Sequence, residues 1–345
     1  MSTPKFVISL DFELFWGVSD QHTVGGYGRN VLGEWDAIPR MLAVFRQHRL
    51  RVTWATVGMI MCRDYKQWCE IRPPLLPQYD HRCLSTYLMD DLVREHHRLF
   101  FGRALVDQIL ATPGQELATH TYSHFYCNEP GATPAQFAAD LVCARAVAEE
   151  VGVRFRSAVF PRNQIAEGFL DILPPAGIQV FRGNSSHWLY RNGDAVAGGL
   201  AGRAVRFADA CIPLSGKCVV HEERHGRLVD LPASLFLYPW SGLHRSILAM
   251  RLWRLKQAMS AAARAGEVFH LWWHPHNFGI NLEHNMAMLG EVLRHYQMLA
   301  DKHGMESHCM CDFEVAQDAV SRPASCRSSP DRIVTQVHSM KRSPR

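Results

Sequence analysis

Several features that assign a chain to a common class are missing from this sequence of 345 residues. The ten cysteines include no CxxC pair, and Cys309 and Cys311 are closer together than the usual zinc ligands. The most apolar stretch, residues 52–62, is only about half as long as a membrane span, which needs ~18 residues. A zinc knuckle, a redox motif and a transmembrane segment are therefore not indicated, and we expect reduced cysteines.

The sequence also lacks a strongly charged surface pattern and a recognisable secretory signal. The net charge is only +4, and no Lys/Arg stripe alternates with aromatic residues, so nucleic-acid binding is not indicated. Only MSTPK precedes the apolar segment FVISL, which leaves no room for the parts of a secretory signal. We therefore expect a cytoplasmic protein. The sequence does not indicate an oligomeric state.

The sequence does contain a repeated pattern of amphipathic helix, glycine and short apolar strand. It occurs three times, with helix-like segments at residues 134–151, 172–176 and 243–265 followed by Gly152, Gly177 and Gly266. Glycine tolerates the left-handed conformation that ends many helices. A helix between two apolar strands predicts a right-handed crossover and a parallel sheet, hence an α/β fold.

The other segments continue this alternation. We predict strands at residues 5–10, 51–57 and 116–119, and helices at residues 34–48, 91–111 and 283–303. Periodicity alone leaves open whether these form a β/α barrel or an open doubly wound sheet. Residues 1–316 are predicted to be one catalytic domain. Residues 317–345 are rich in Ser, Pro and Arg, which predicts a disordered basic tail.

Polar clusters follow three predicted strands, where parallel α/β folds place reactive groups. Asp11 and Glu13 directly follow FVISL, and side chains two apart on an extended segment share a face. His120 and His124 follow ELAT and converge on one metal if the backbone takes a helical turn. Ordinary roles, a salt-bridged rim pair and two structural histidines, remain the alternatives.

The third cluster is His274-Pro275-His276, at the end of the strand-like segment EVFHLWW. A histidine there is a candidate general acid, with a purely structural histidine as the alternative. Together the three clusters offer carboxylates, a metal-binding histidine pair and a proton donor at the ends of different strands. Such convergence is what an active site needs.

With these residues the chain resembles the polysaccharide deacetylase (NodB-homology) family, carbohydrate esterase family four, over about residues 6–306. HTYSH matches the family's H-S/T-x-x-H signature. The segments SLDFELFWG, TPGQELATHTYSH, VFPRNQ and HLWWHPHNFG resemble a bacterial subgroup associated with surface-polysaccharide gene clusters. The resemblance implies a distorted β/α barrel in a single domain and one catalytic divalent ion, Zn²⁺ or a similar metal.

Carried over by residue, the resemblance makes His120, His124 and Glu13 the metal ligands, with Asp11 as the base or a further ligand. The family's two acids are adjacent, whereas Phe12 separates them here. It therefore stays open whether Asp11 is the base and Glu13 the ligand, or whether these two roles are swapped or shared. Arg162 of VFPRNQ would orient Asp11, and His274 would protonate the leaving group. The family's fourth motif has no clean match, although Asp230 is a candidate to orient His274.

The implied reaction is hydrolysis of an N-acyl, in the simplest case N-acetyl, amino sugar carried by a nucleotide or lipid during surface-polysaccharide synthesis. A backbone N–H near Ser123 or Tyr126 is expected to stabilise the oxyanion. Candidate substrate-binding residues are Trp16, Tyr126, Asn163, Arg182, Trp273 and His276. Further candidate stacking aromatics are Tyr27, Trp188, Trp240 and Trp272. A deformylase or non-sugar amidohydrolase, and an inactive glycan-binding module, are the alternative functions.

Overall fold

The structure is a computed structural model that describes residues 2–185, 187, 205, 207–216 and 218–314. The predicted tail, residues 317–345, and Trp188 lie outside these residues. The strands are β1 (Lys5–Phe12), β2 (Val52–Thr56), β3 (Gln115–Thr119), β4 (Ser157–Ala158), β5 (Val180–Phe181), β6 (Glu223–His225), β7 (Leu228–Asp230), β8 (Leu235–Phe236), β9 (Val268–Trp273) and β10 (Glu306–His308).

The helices alternate with these strands. They are α1 (Val24–Leu32), α2 (Glu34–Gln47), α3 (Tyr65–Glu70), α4 (Asp90–Glu95), α5 (His97–Phe100), α6 (Arg103–Ala111), α7 (Pro134–Glu150), α8 (Glu167–Leu170), α9 (Arg245–Ala265) and α10 (Leu282–His303). Single 3₁₀ turns cover Leu14–Gly17, Gly58–Met61, Arg82–Leu84, Thr86–Leu88, Pro161–Asn163, Pro174–Ala176, Pro275–Phe278 and Met310–Phe313.

Among the described residues the ten strands form one sheet in the order β6-β7-β5-β4-β3-β2-β1-β9-β8, with β10 added beside β1. Every pairing is parallel except that of β6 with β7. The sheet curls into an incomplete ring with helices around it. This is the distorted β/α barrel that the resemblance implied. The carboxyl ends of β1, β3, β4, β5 and β9 consequently share one rim.

The two faces of β1 explain why chemistry collects on the inside of the sheet. Phe6 packs on Tyr296 of α10 at 4.9 Å, and Phe12 packs on Trp54 of β2 at 6.4 Å, both on the helix-covered side. Ser9 and Asp11, at alternate positions, point to the opposite side and are almost fully buried. The strand therefore supplies core packing on one face and polar groups on the other.

Helix ends follow the glycine pattern. Gly177, Gly266 and Gly304 close a 3₁₀ turn, α9 and α10 with positive φ values of 87°, 74° and 67°. The single helix predicted at residues 91–111 is wrong, because three short helices occupy that region and Gly102 lies at the junction before α6.

In the part of the chain that the structure describes, no helix has the length and apolarity of a membrane span.

Candidate active site

Glu13 is the centre of the candidate active site. Its Oε1 lies 2.9 Å from Nε2 of His120 and 3.2 Å from Nε2 of His124, and all three side chains are buried. The ligand atoms of these residues lie within 4.8 Å of one another. Two histidines and a carboxylate converging through three donor atoms form a common site for a catalytic divalent ion.

A hydrogen bond at Nδ1 orients each of the two imidazoles, and the carbonyl partner of His120 also fixes its tautomer. Nδ1 of His120 hydrogen-bonds to the carbonyl oxygen of Val159 at 2.8 Å, and Nδ1 of His124 to the hydroxyl of Tyr126 at 3.1 Å. Each Nε2 thus points towards Glu13. Burial lowers the pKa of His124, which favours the neutral imidazole that binds metals. The donor set therefore fits a divalent ion.

A bend rather than the expected helical turn brings the two histidines together. Thr121 and His124 have positive φ values of 64° and 57°, and residues 120–127 form no helix. Asp140 of α7 holds this bend, since its Oδ2 accepts from the amide of Tyr122 at 2.6 Å and its Oδ1 from the amide of Ser123 at 3.1 Å. Both imidazoles are thereby aimed at one point.

The segment ELFWG explains how a carboxylate larger than aspartate is accommodated. A Cβ atom on Gly17 would overlap the carboxyl group of Glu13. The 3₁₀ turn Leu14–Gly17 therefore folds back over Glu13 only because position 17 has no side chain. We infer that this glycine belongs to the site even though it contributes no chemical group.

Asp11 is paired with an arginine that sequence reasoning assigned to the substrate. Both guanidinium nitrogens of Arg182 donate to its carboxylate, at 2.6 and 2.7 Å, and Arg182 is 1% exposed. Burial alone would raise the pKa of Asp11, but the charge and hydrogen bonds of Arg182 together with His120 and His274 outweigh burial and lower the pKa. Asp11 is consequently ionised and rigidly oriented.

A second set of contacts fixes Arg182 in turn. It donates to Ser9 Oγ at 3.0 Å and to Oδ1 of Asn163 at 2.9 Å. Ser9 Oγ also lies 2.8 Å from Nε2 of His270, and the guanidinium stacks 4.3 Å from the ring centre of Trp272. Burial lowers the pKa of His270 to about 3, so this supporting histidine is neutral.

The expectation that Arg162 lies beside Asp11 is wrong. Arg162 forms ion pairs with Asp20 and, at 3.6 Å, with Glu129, and it stacks on the ring of Tyr126 at 4.3 Å. Its positive φ of 54°, directly after Pro161, turns the side chain away from Asp11. Position 182, on the next strand, supplies the guanidinium instead.

His274 and His276 approach Glu13 from the end of β9. Nε2 of His274 lies 3.7 Å from Oε1 of Glu13 and 3.8 Å from Oδ2 of Asp11, and its side chain is 24% exposed. Nε2 of His276 lies 3.7 Å from Oε2 of Glu13, while its Nδ1 meets the hydroxyl of Tyr27 at 2.9 Å. His274 is thus the more accessible imidazole beside both carboxylates.

The remaining candidate residues divide between the site and the core. Tyr126 and Asn163 contact site residues, as described above. Trp16 is fully buried and donates to the carbonyl of Phe100 at 2.7 Å, and Trp273 packs between Phe45 and Phe278 on the helix-covered face. Trp16 and Trp273 are therefore core residues, and the expectation that they bind substrate is wrong.

Two supporting roles expected from the sequence concern the oxyanion donor and the partner of His274. The amide of Ser123 donates to Asp140, and that of Tyr126 donates to the hydroxyl of Tyr79 at 2.9 Å, so both are already engaged within the protein. Asp230 faces Glu223 across the β6–β7 pair and lies against Gly183 rather than beside His274. The expectation that Asp230 orients His274 is therefore wrong, while an oxyanion donor near Ser123 or Tyr126 stays a prediction.

A cavity of about 320 Å³ opens beside the site. His274 and Trp272 form part of its wall, and the rest comes largely from apolar residues of β8 and α9, such as Phe236, Leu252 and Leu255. Neither Glu13 nor the two histidines of HTYSH line it. The cavity therefore adjoins the His274 side of the site and not the side of the Glu13 cluster.

Two supporting residues, Ser9 and His270, belong to no motif and are recognisable in the sequence only by their positions along the strands. Ser9 and His270 lie two and four residues before Asp11 and His274, on the same strands and facing the same way. Polar side chains at alternate positions of otherwise apolar strands are the signal of such residues. Asp140 gives no such signal, since one aspartate inside an amphipathic helix is ordinary.

Comparisons with known proteins establish the fold. No family model matches the sequence, and no curated protein matches it. A Mycobacterium smegmatis protein described as a polysaccharide deacetylase superposes with a TM-score of 0.59 at 14% identity, covering 95% of each chain. A GH57-type branching enzyme from Pyrococcus horikoshii gives 0.51 at 13% identity, covering 93% of this chain and 71% of its own. The chain therefore has the fold of polysaccharide deacetylases.

Proposed function

We propose that this protein is a metal-dependent hydrolase that removes an N-acyl group, in the simplest case acetyl, from an amino sugar. The convergence of Nε2 of His120 and Nε2 of His124 on Oε1 of Glu13 carries this proposal. A divalent ion bound there, with Zn²⁺ suited to two imidazoles and a carboxylate, would polarise the amide carbonyl and lower the pKa of a bound water. The roles of the surrounding residues follow from their positions.

Asp11 is the proposed general base and Glu13 the ligand, as their order in the sequence suggests. Arg182 occupies one acceptor position on each oxygen of Asp11, and a carboxylate has about four such positions in total. Oδ2, which faces His274 at 3.8 Å, thus retains a lone pair for a proton. Glu13 faces the imidazoles and has no guanidinium partner among the described residues.

His274 is the proposed general acid. An amide nitrogen leaves poorly as an anion, so hydrolysis needs a proton delivered on the amine side. His274 is close to both carboxylates and is partly exposed, so a bound substrate can reach it. The pKa of His274 is lowered, because burial outweighs the charges of Glu13 and Asp11, which raise it.

The amino sugar is proposed to be a nucleotide- or lipid-linked precursor of a bacterial surface polysaccharide, handled in the cytoplasm. The resemblance of the four sequence segments to the polysaccharide-associated subgroup supports this. Trp272 and Phe236, which line the cavity beside His274, are suitable walls for such a substrate. Both lie on the open side of the site, unlike Trp16 and Trp273.

The decisive experiment follows acyl release from a panel of N-acetyl and N-formyl sugar donors by mass spectrometry. We expect chelation to abolish the mass loss and added Zn²⁺ to restore it. Full activity in excess chelator would reject the metal. Exclusive loss of formyl would identify a deformylase, and sugar binding without any product would identify an inactive binding module.

Two variants separate the metal from the acid. His120→Ala is expected to lose both bound zinc and turnover, whereas His274→Ala keeps the zinc and loses about 10²–10⁴-fold in turnover. His225→Ala, an exposed histidine of β6, is the control for general effects of removing an imidazole. A fully metallated His120→Ala variant would place the ligands elsewhere.

A further inference from the structure

The cavity beside His274 has a composition that the reaction itself does not require. Its wall is mainly aliphatic and aromatic, and its volume of about 320 Å³ is roughly twice the ~150 Å³ of an apolar cavity that holds benzene. A short acyl group such as acetyl needs far less room. The cavity is therefore large enough for an apolar chain of about a dozen carbon atoms.

The position of the cavity indicates which part of the substrate enters it. His274 separates the cavity from the Glu13 cluster, because it lines the cavity and also lies 3.7 Å from Oε1 of Glu13. In the proposed reaction the carbonyl faces the Glu13 cluster, and His274 faces the leaving nitrogen. The part of the substrate that carries the amine is thus the part nearest the cavity.

One cationic side chain of the cavity has no carboxylate partner among the residues that the structure describes. Arg251 of α9 stacks on Tyr238 at 4.6 Å and on Phe207 at 4.8 Å, and it forms no ion pair with any described residue. Its buried Nε has no hydrogen-bond partner there. The neighbouring Arg254, by contrast, pairs with Asp209 at 3.0 Å. An apolar wall with a guanidinium that no described carboxylate compensates matches an amphiphilic anion.

We propose that this cavity binds an apolar chain joined through an anionic group to the amine-bearing part of the substrate. This inference rests on the proposed function. Of the two substrates named there, it selects the lipid-linked amino sugar over the nucleotide-linked one. The chain lies against Leu252, Leu255 and Phe236, and the anionic group lies beside Arg251.

The first test measures binding without any turnover. Alkyl phosphates of increasing length are titrated into the zinc-loaded protein by calorimetry. Affinity is expected to rise about two- to fourfold per methylene and to level off near about a dozen carbons, where the cavity is full. Affinity that does not change with chain length overturns the proposal.

Variants locate the binding. Leu252→Trp fills the cavity and is expected to abolish the dependence on chain length, whereas Met250→Trp, an exposed position on the same helix, retains it. Arg251→Gln should weaken decyl phosphate but not neutral decyl glucoside, and Arg264→Gln, on the exposed face of α9, should change neither. Thermal unfolding verifies that each variant is folded. Equal effects of Leu252→Trp and Met250→Trp contradict the assignment.

The second test determines whether the cavity holds the amine-bearing part of the substrate or its acyl group. Decyl and methyl phosphodiesters of N-acetylglucosamine 1-phosphate are compared with N-decanoylglucosamine 1-phosphate. We expect the decyl diester to have at least about tenfold higher kcat/KM than the methyl diester, with this advantage lost in Leu252→Trp. If the N-decanoyl compound alone shows the advantage, the chain is on the acyl side and the proposal is wrong.

These tests fail separately from the proposed function. Alkyl phosphate binding that depends on Leu252, with no hydrolysis of any probe, retains the cavity assignment and rejects the hydrolase. Zinc-dependent hydrolysis of the methyl and decyl diesters at equal rates retains the hydrolase and rejects the cavity assignment.

Discussion

Replacing Arg182 with methionine should turn Asp11 from an ionised base into a neutral acid near neutral pH. Asp11 is 3% exposed, and the two hydrogen bonds from Arg182, at 2.6 and 2.7 Å, are its main compensation for burial. Burial raises the pKa of Asp11, whereas Arg182, with smaller contributions from His120 and His274, lowers it below its usual range. Without the guanidinium, burial dominates and the pKa rises above that range.

The stability of the Arg182→Met variant should depend on pH in the opposite sense to that of the parent. In the parent, the lowered pKa of Asp11 contributes stability above the usual aspartate range, which is lost as the pH falls through the folded value. Breaking a buried pair by removing one partner costs about 3–5 kcal/mol. We expect a loss of that size near neutral pH, shrinking in acid as Asp11 becomes protonated.

The kinetic consequence is measured as the pH dependence of kcat/KM. Loss of the base should lower kcat/KM by about 10²–10⁴-fold near neutral pH, and the acid limb of the profile should move to higher pH. Zinc content should stay unchanged, because Arg182 contacts Asp11, Ser9 and Asn163 but none of the proposed ligands. Urea unfolding at several pH values gives the matching stabilities.

Two controls make the reasoning refutable. Arg162→Met removes a guanidinium paired with Asp20 and Glu129, so the acid limb should not move. Adding Asp11→Asn to Arg182→Met removes the unpaired charge and should recover much of the lost stability while leaving activity low. An acid limb that moves in Arg162→Met but not in Arg182→Met would falsify the assignment of Arg182.

Three further substitutions test the groups behind the site. Asp140→Asn replaces an acceptor of two backbone amides by a group that also carries N–H donors, so zinc affinity should fall by about 10–100-fold in a chelator competition. Ser9→Ala removes one hydrogen-bond partner from Arg182 and one from His270 and should cost about 1–3 kcal/mol in urea unfolding, with zinc content unchanged. Burial and Glu223 raise the pKa of Asp230 to about 7, so its stabilising contribution is present below its usual pKa and lost as the pH rises through about 7. Asp230→Asn should therefore be about 1–2 kcal/mol more stable than the parent above that pH, after discounting for partial exposure, and equal stability at high pH would refute the raised pKa.

The rim of the barrel was predictable because parallel strands constrain it. Once FVISL, ELAT and EVFHLWW are taken as parallel strands of one curled sheet, with β2 between the first two, their carboxyl ends share one rim and bring Glu13, His120 and His274 together. The exact bend within HTYSH was not predictable. It depends on Asp140, which lies on α7 and is brought there only by the folded structure.

The partner of Asp11 could not be predicted, for a related reason. β4 and β5 have only two residues each, so periodicity hardly shows which face the residues after them will take. Arg162 and Arg182 both follow such strands, and their directions depend on local backbone angles. Position 162 has a positive φ, and this decides between them.

Trp272 and Trp273 show how the alternation of side chains along a strand decides which residue faces the site. Trp272 and Trp273 are adjacent on β9, so they face opposite sides of the sheet. His270 and His274 share the face of Trp272, and that face lines the cavity. Counting by twos back from His274 selects Trp272 from the sequence alone, and it places Trp273 on the opposite face, against Phe45 and Phe278.

The same fold occurs in a GH57-type branching enzyme, so the fold does not decide which bond is broken. The ionisation of the two carboxyl groups of the site indicates which kind of bond they are suited to cleave. Enzymes that cleave glycosidic bonds generally need one carboxylic acid with a raised pKa to protonate the leaving oxygen. Here burial raises the pKa of both Asp11 and Glu13, but Arg182 and the surrounding imidazoles outweigh it and lower both. Neither carboxyl group thus has the raised pKa that this acid needs. Carboxylates that accept a proton and bind a cation, with an imidazole as the proton donor, are the division of roles in the proposed amide hydrolysis.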